Sequence, residues 1–276
     1  MLSKNLTLGP VEIYVKNLER MKDFYTRHLG LEIIKDDTSS VSLGKDGKSL
    51  LNIYASDLSH SPPEDAGLYH FAILFSSRTE LAKTIQRILR HAPEFFSGSG
   101  DHLVSEAFYF NDPEGNGIEL YYDRDRSQWQ WENNQIKMAT LYINPAEYIQ
   151  RYIVLEETHN QVQIGHIHLK VGDIEKARKF YVDILGFDVT ASLPGALFVS
   201  IGGYHHHIGM NTWESLGAIE RDETLGLKNF EIILNDQDEM IELKKRLATY
   251  HIPYTQSKNS LSFFDPWKNK IIISSK

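Results

Sequence analysis

Three histidine-bearing runs and one glutamate stand out as groups able to do chemistry. The histidines lie in Gly67-Leu68-Tyr69-His70-Phe71, in Gly165-His166-Ile167-His168-Leu169 and in Gly203-Tyr204-His205-His206-His207-Ile208-Gly209, and Glu119 nearly closes the run 100–121, GDHLVSEAFYFNDPEGNGIELY. The chain has no cysteine, so any metal must be held by imidazole and carboxylate groups, a donor set that suits Fe(II), Mn(II) or Zn(II). Taken singly, each signal is weak. A strand glutamate is usually solvated or paired, a buried histidine usually bonds a backbone carbonyl, and a short histidine cluster can simply be solvated. The run that contains Glu119 says more, because it reads as strand, tight turn and strand. Residues 105–110 are rich in aromatics, residues 118–122 are short, apolar and aromatic, and Asp112-Pro113-Glu114-Gly115-Asn116-Gly117 supplies turn chemistry between them. Alternation then sets Ile118 and Leu120 on one face and Glu119 with Tyr121 on the other, so a core on the first face sends Glu119 into a cavity or solvent.

The elements that must position these groups form short, recurring units. Residues 11–15 pattern as a strand, 18–28 as an amphipathic helix, and 31–34, 39–43 and 49–54 as three further strands, a βαβββ unit. After the Ser61-Pro62-Pro63 break a second unit follows, with strand 68–75, helix 78–91 and the region 100–122. The segment 123–163 breaks the pattern and reads as a linker with short helical pieces. This divides the chain into an N-terminal half at 1–123, a linker at 124–162 and a C-terminal half at 163–276. The second half repeats the first, the mark of an internal duplication. Val15, Phe24, Tyr25, Leu29 and Gly30 return with constant spacing as Val171, Phe180, Tyr181, Leu185 and Gly186, and Asp112-Pro113 returns as Asp265-Pro266. Four βαβββ modules result, an α+β chain. Each helix's apolar stripe, Leu81, Ile85, Ile88 and Leu89 in module two, is expected to cover one face of a small sheet and to leave the concave face for function. Physics lets the four modules pair into two cupped sheets without choosing the partners.

Nearly the whole chain resembles the vicinal-oxygen-chelate superfamily, which spans glyoxalases, bleomycin-resistance proteins and extradiol dioxygenases. The likeness lies in the FY…LG helices and the Asp-Pro turns. Run 100–121 in particular resembles the signature that closes the active site of catechol 2,3-type dioxygenases, at Gly100, His102, Phe108-Tyr109, Asp112-Pro113, Gly115 and Glu119, and a match at set spacings is far more specific than a lone residue. The resemblance implies four βαβββ modules in two cupped sheets, with metal ligands from the first strands of two paired modules and the last strand of one. On that basis His70 and Glu119 of module two are ligands. Module one opens Pro10-Val11-Glu12 and offers no histidine, whereas module three supplies His166, which directly follows Gly165 as in the family. His168 shares its face, and a two-residue register shift would exchange the two. Module four has Asn229 in place of His70 and Ile272 in place of Glu119, so the complete set implies that modules two and three pair and leave one and four together. Two imidazoles and one carboxylate make the facial triad expected of non-heme Fe(II) oxygenases. The family's histidine pair puts the acid/base on His206, on a later strand of module three. Strand parity groups His206 with apolar Ile208 and Met210, so the assignment needs a bulge, with His207 as the fallback. The resemblance also makes Tyr109 a donor to a substrate oxygen and His102 a wall of the pocket, with Tyr121 a weaker pocket residue.

With 276 residues, 41% hydrophobic and 24% charged, the chain can bury a full core in one large or two small domains. A net charge of −8 offers no basic patch for nucleic acid or anionic lipid, and no apolar run reaches membrane-spanning length. The opening lacks the continuous apolar stretch of a signal peptide, so the expected address is the cytoplasm. The expected function is an extradiol ring-cleaving dioxygenase holding Fe(II), or Mn(II) or another divalent ion, with a small aromatic diol and O2 as partners and a chain compatible with a homo-oligomer. The alternatives are a glyoxalase-type isomerase or lyase using Ni, Zn or Mn, which usually carries a second carboxylate ligand not found here, and a non-enzymatic small-molecule binding protein on the same fold.

Overall fold

The structure, a computed structural model, describes residues 6–154 and 161–275. Module one comprises β1 (Thr7–Val15), α1 (Leu18–Phe24), β2 (Glu32–Asp37), β3 (Ser40–Lys45) and β4 (Lys48–Ala55). Module two comprises β5 (Gly67–Phe75), α2 (Arg78–His91), β6 (Phe96–Asp101), β7 (Ser105–Asn111) and β8 (Gly117–Asp123). The connector contributes β9 (Trp131–Glu132), β10 (Gln135–Ile136) and α3 (Pro145–Tyr152), the last capped by the Asn144 side chain. Module three comprises β11 (Val162–Lys170), α4 (Ile174–Arg178), β12 (Asp188–Leu193), β13 (Ala196–Ser200) and β14 (Ile208–Asn211). Module four comprises β15 (Gly226–Leu234), α5 (Gln237–Thr249), β16 (Tyr254–Gln256), β17 (Ser260–Phe264) and β18 (Lys270–Ser275).

Each module's first and last strands lie side by side in parallel, joined through the helix, and the remaining strands add as hairpins. Modules then join by antiparallel pairing of their first strands. One eight-stranded sheet runs β12-β13-β14-β11-β5-β8-β7-β6, and the other runs β16-β17-β18-β15-β1-β4-β3-β2. Module two therefore shares a sheet with module three, and module one with module four, so each sheet takes one module from each half of the chain.

Helix α2 shows why the faces are assigned as they are. Ser77 accepts a hydrogen bond from the Glu80 backbone at its N-terminus, and Leu81, Ile85 and Ile88 recur at helical spacing on a fully buried face. They join Phe71, Ile73 and Phe75 of β5 in one apolar cluster, which leaves the opposite face of β5, with His70 and Ala72, turned away from the helix. Truncating Ile85 to alanine would cost about 2–5 kcal/mol. The expected helix 18–28 departs from regularity: after Phe24 it widens to a π-turn over Tyr25–Leu29 and stops at Gly30, whose φ of 76° favours glycine. Module three repeats the device, with a π-turn over Lys179–Ile184 and Gly186 at φ 86°.

The two halves also share a buried clamp. Asp112 accepts hydrogen bonds from the Tyr25 hydroxyl, the Glu114 and Asn116 backbones and the Asn116 amide, all at 2.8–2.9 Å. Asp265 accepts from the Tyr181 hydroxyl, the Trp267 and Asn269 backbones and the Asn269 amide at 2.8–3.0 Å. Within each half, one module's helix thus grips the turn of the next.

Candidate metal centre

The site lies over the β5–β11 seam, and Ala72 is its floor. In the ladders Ala72 pairs with Glu119 on one side and with His166 on the other, while His70 stands two residues along β5 on the same face. Paired residues point to the same side of a sheet, so three long side chains converge above a methyl group. Register slips by one residue between Ile164 and His166, which makes Gly165 the extra residue of a bulge. A Cβ at Gly165 would collide with the Tyr121 hydroxyl, so glycine here lets β11 kink and aim His166 inward.

The three ligand atoms form a near-equilateral triangle. His70 Nε2 is 3.0 Å from Glu119 Oε2 and 3.3 Å from His166 Nε2, and His166 Nε2 is 3.1 Å from the same carboxylate oxygen. For metal–ligand bonds of about 2.1 Å, three neighbouring corners of an octahedron are about 3.0 Å apart and those of a tetrahedron about 3.4 Å. The edges therefore fit a facial set. All three residues are at most 5% exposed. Burial pushes the Glu119 carboxyl up, but His166 and His70 outweigh it and hold the group well below the usual carboxylate range. Burial pushes His166 down to about 4, against the pull of Glu119. Glu119 is thus a carboxylate and His166 a neutral imidazole at neutral pH, the protonation state that metal binding requires. His166 Nδ1 has no hydrogen-bond partner among the described residues, and the ring packs in tilted contact with Tyr121 and His206, at 5.0 and 4.1 Å between centroids.

His168 pairs with His70 in the ladder but does not join the triangle. The Asn211 amide donates to its Nε2 at 2.9 Å, and the ring rests beside Tyr69 and Phe198. A cavity of about 670 Å³ opens above the triangle, lined by His70, Glu119, Tyr109, His102, His168 and His206 and, toward its mouth, by apolar groups such as Leu193 and Trp213. Tyr109 stands across from Glu119 in the β7–β8 ladder, and its hydroxyl is 2.6 Å from His102 Nε2. His102 Nδ1 lies 2.8 Å from the Ala139 carbonyl, which can only accept, so Nδ1 carries a proton and Nε2 meets the Tyr109 hydroxyl. Burial and the Glu119 charge push the Tyr109 phenol well above its ordinary range.

The histidine cluster requires a correction. It does not lie on a strand: β13 ends at Ser200, Gly202 and Gly203 turn at φ 68° and 69°, and β14 begins at Ile208. Strand parity therefore has no bearing on His205, His206 and His207, and no bulge is needed. His206 lines the cavity, whereas His207 Nδ1 accepts from the Ile201 backbone and closes the turn. Sequence reasoning also missed Asp123, which bonds His205 Nε2 at 2.8 Å and accepts from the Tyr204 hydroxyl at 2.8 Å. The signal was present, because alternation that sends Glu119 and Tyr121 to one face sends Asp123 there too.

Among known proteins, the family model described as the glyoxalase/bleomycin resistance protein/dioxygenase superfamily matches residues 7–120 and 163–272. A protein of Bacillus subtilis (strain 168) named catechol-2,3-dioxygenase is 38% identical over 269 residues, covering 94% of this chain and 93% of its own. Among solved structures, a putative dioxygenase from Bacillus subtilis subsp. subtilis str. 168 superposes with a TM-score of 0.62 at 14% identity, over 98% of this chain and 85% of that one. Glyoxalase I from Zea mays superposes with a TM-score of 0.57 at 14% identity, over 98% and 92%. At these identities the structural likenesses establish the fold alone.

Proposed function

The chain belongs to the glyoxalase/bleomycin resistance protein/dioxygenase superfamily, and from that premise we propose that it is a metal-dependent extradiol dioxygenase cleaving the ring of a catechol-type substrate. The observation that carries the reading is the triangle of His70, Glu119 and His166, with edges of 3.0–3.3 Å, at the floor of a cavity walled by groups that can hold protons. These three residues would hold a divalent ion, Fe(II) or else Mn(II). When bound, such an ion acidifies the hydroxyls of a chelating diol and lets diol and dioxygen meet at one centre.

The chain's own groups divide the remaining work. Glu119 is the one anionic ligand, so the set leaves net positive charge to attract an ionising diol. His206, pushed well below its ordinary range by burial and by its histidine neighbours, is neutral and takes a proton from a substrate hydroxyl. On the opposite wall, Tyr109, hydrogen-bonded to His102 at 2.6 Å, turns its phenol O–H from His102 to the oxygen of the opening ring. Leu193, Phe198 and Trp213 exclude water from the mouth side.

Anaerobic loading with Fe(II), followed by an oxygen electrode and ring-fission absorbance across a panel of catechols, tests the reading. One metal per chain and one O2 consumed per catechol opened is the expected result. One metal per chain with no oxygen uptake across the panel would replace it with the isomerase reading.

A further inference from the structure

We infer that Asp123, His205 and His206 form a hydrogen-bonded relay that fixes His206 with its proton on Nδ1 and a bare Nε2 toward the cavity, which makes Asp123 and His205 positioning residues for proton transfer. The inference rests on the proposed dioxygenase chemistry, in which His206 takes the substrate proton. The Asp123 carboxylate can only accept: Oδ2 from the Tyr204 hydroxyl at 2.8 Å and Oδ1 from His205 Nε2 at 2.8 Å. His205 therefore carries its proton on Nε2. It is fully buried, with the Tyr204 ring 4.1 Å away and the Trp129 ring at 5.4 Å. In the tautomer we infer, His205 keeps a lone pair on Nδ1, and His206 Nδ1 lies 2.7 Å from it. The proton in that contact has to belong to His206 Nδ1.

His206 Nε2 has no bonding partner among the described residues, and the side chain lines the cavity. When a substrate O–H breaks, its proton forms the new bond at Nε2 and the electron pair stays on the substrate oxygen. The resulting imidazolium keeps its Nδ1–H on His205, and the charge of Asp123 reaches it through that ring. Further along, Tyr121 donates to Tyr204 at 2.7 Å, the remaining direction once Tyr204 has given its proton to Asp123. The same Tyr121 hydroxyl lies over Gly165, so the relay and the His166 bulge share one packed unit.

Nitrogen-15 histidine spectra of the metal-free protein, assigned by His206→Gln, read the tautomer directly. The expected result is a protonated Nδ1 and an unprotonated Nε2 at His206, with that preference lost in His205→Leu. In loaded enzyme His205→Leu should lower kcat by about 100-fold with KM within about twofold, Asp123→Asn by about tenfold, and His205→Gln, whose amide oxygen can accept the same bond, should recover much of the loss. A wild-type His206 protonated at Nε2 would overturn the relay, as would a His205→Gln no better than a folded His205→Leu. Because the spectra are read without turnover, they decide the tautomer even if the dioxygenase reading fails.

Discussion

The two sheets are the same scaffold used in opposite ways. In the β5–β11 sheet, His70, Glu119 and His166 bring their nitrogen and oxygen atoms within 3.3 Å of one another, and no lysine or arginine among the described residues pairs with Glu119. At the centre of the β1–β15 sheet, ladder registers place Glu12 against Asn229 and Asn52, with Ile272 where the first sheet has Glu119. Glu12 accepts from Asn229 at 2.8 Å, Tyr54 at 3.1 Å and Asn52 at 3.3 Å, and pairs with the Lys228 ammonium at 3.0 Å. Lys228 in turn sits over the Tyr54 ring, 3.3 Å from its centroid. One cup brings its own cation as a side chain beside its carboxylate. The other turns two imidazole nitrogens and a carboxylate oxygen toward one point, a donor set that an added cation can occupy.

The strongest way to break this contrast is to remove a ligand. His70→Ala, Glu119→Ala and His166→Ala should each cut metal content from one per chain to near zero and lower oxygen uptake on the order of 10³-fold or more. Asn229→Ala should change neither. Elemental analysis of purified variants decides, and metal retained in all three ligand variants would place the ion elsewhere.

A second test exploits acid. The first sheet buries His166, held at about 4, with His168 and His206 well below the ordinary histidine range, and His207 in the adjoining turn at about 3, all chiefly through burial. Their folded values lie below the unfolded one, so the unfolded chain binds more protons. Their contribution to stability is therefore complete above about pH 6.5 and is lost as pH falls toward the folded values. Between about pH 7 and about pH 5 the metal-free fold should lose about 2 kcal/mol through His166, with further losses through His168 and His206 and a smaller one through half-buried His207. Urea titrations of metal-free protein at the two pH values measure the sum, and a flat profile would mean that the imidazoles are already charged in the fold. Added metal, which binds the neutral form, should protect against the loss.

How far this contrast was legible in the sequence depends on whether a residue sits in a regular element. The four modules were readable because each helix stripe and each Asp-Pro turn repeats, and His70, Glu119 and Asn229 could be placed because they lie on strands, where alternation fixes the face. The pairing of modules two and three followed from which module lacked a histidine. His205 and His206 were not placeable in the same way, because Gly202 and Gly203 turn the chain out of the strand before them, and a loop has no period from which to read a direction. The tie of His205 to Asp123 spans 82 residues, and no local pattern encodes such a contact. The π-turns after Phe24 and Arg178 were likewise invisible, because an extra residue in a helix leaves its apolar stripe nearly intact.

A smaller effect sharpens the comparison from the other cup. Glu12→Gln keeps the shape but removes the charge that Lys228 neutralises and turns an amide N–H toward groups that already donate. It should cost about 1–3 kcal/mol in urea unfolding and leave kcat within about twofold. A collapse of activity instead would show that the second cup acts on the first.

The smallest expected effect separates frame from chemistry. Tyr25→Phe and Tyr181→Phe each delete one donor to a buried carboxylate, Asp112 or Asp265, at 2.8 and 3.0 Å. Each should cost about 1–2 kcal/mol, and the double variant should be additive, because the two clamps share no partner. Burial already pushes Asp112 up to about 6, and losing the phenol raises it further, so part of the Tyr25→Phe loss should disappear as pH falls and the carboxyl takes up a proton. The two turns feed different strands: Asp112 leads into β8 and Glu119, whereas Asp265 leads into β18 and Ile272. Equal stability losses should therefore accompany unequal metal affinities, weaker by a few fold in Tyr25→Phe and unchanged in Tyr181→Phe. If both variants loosen the ion equally, the clamps act on the whole fold rather than on the strand each one anchors.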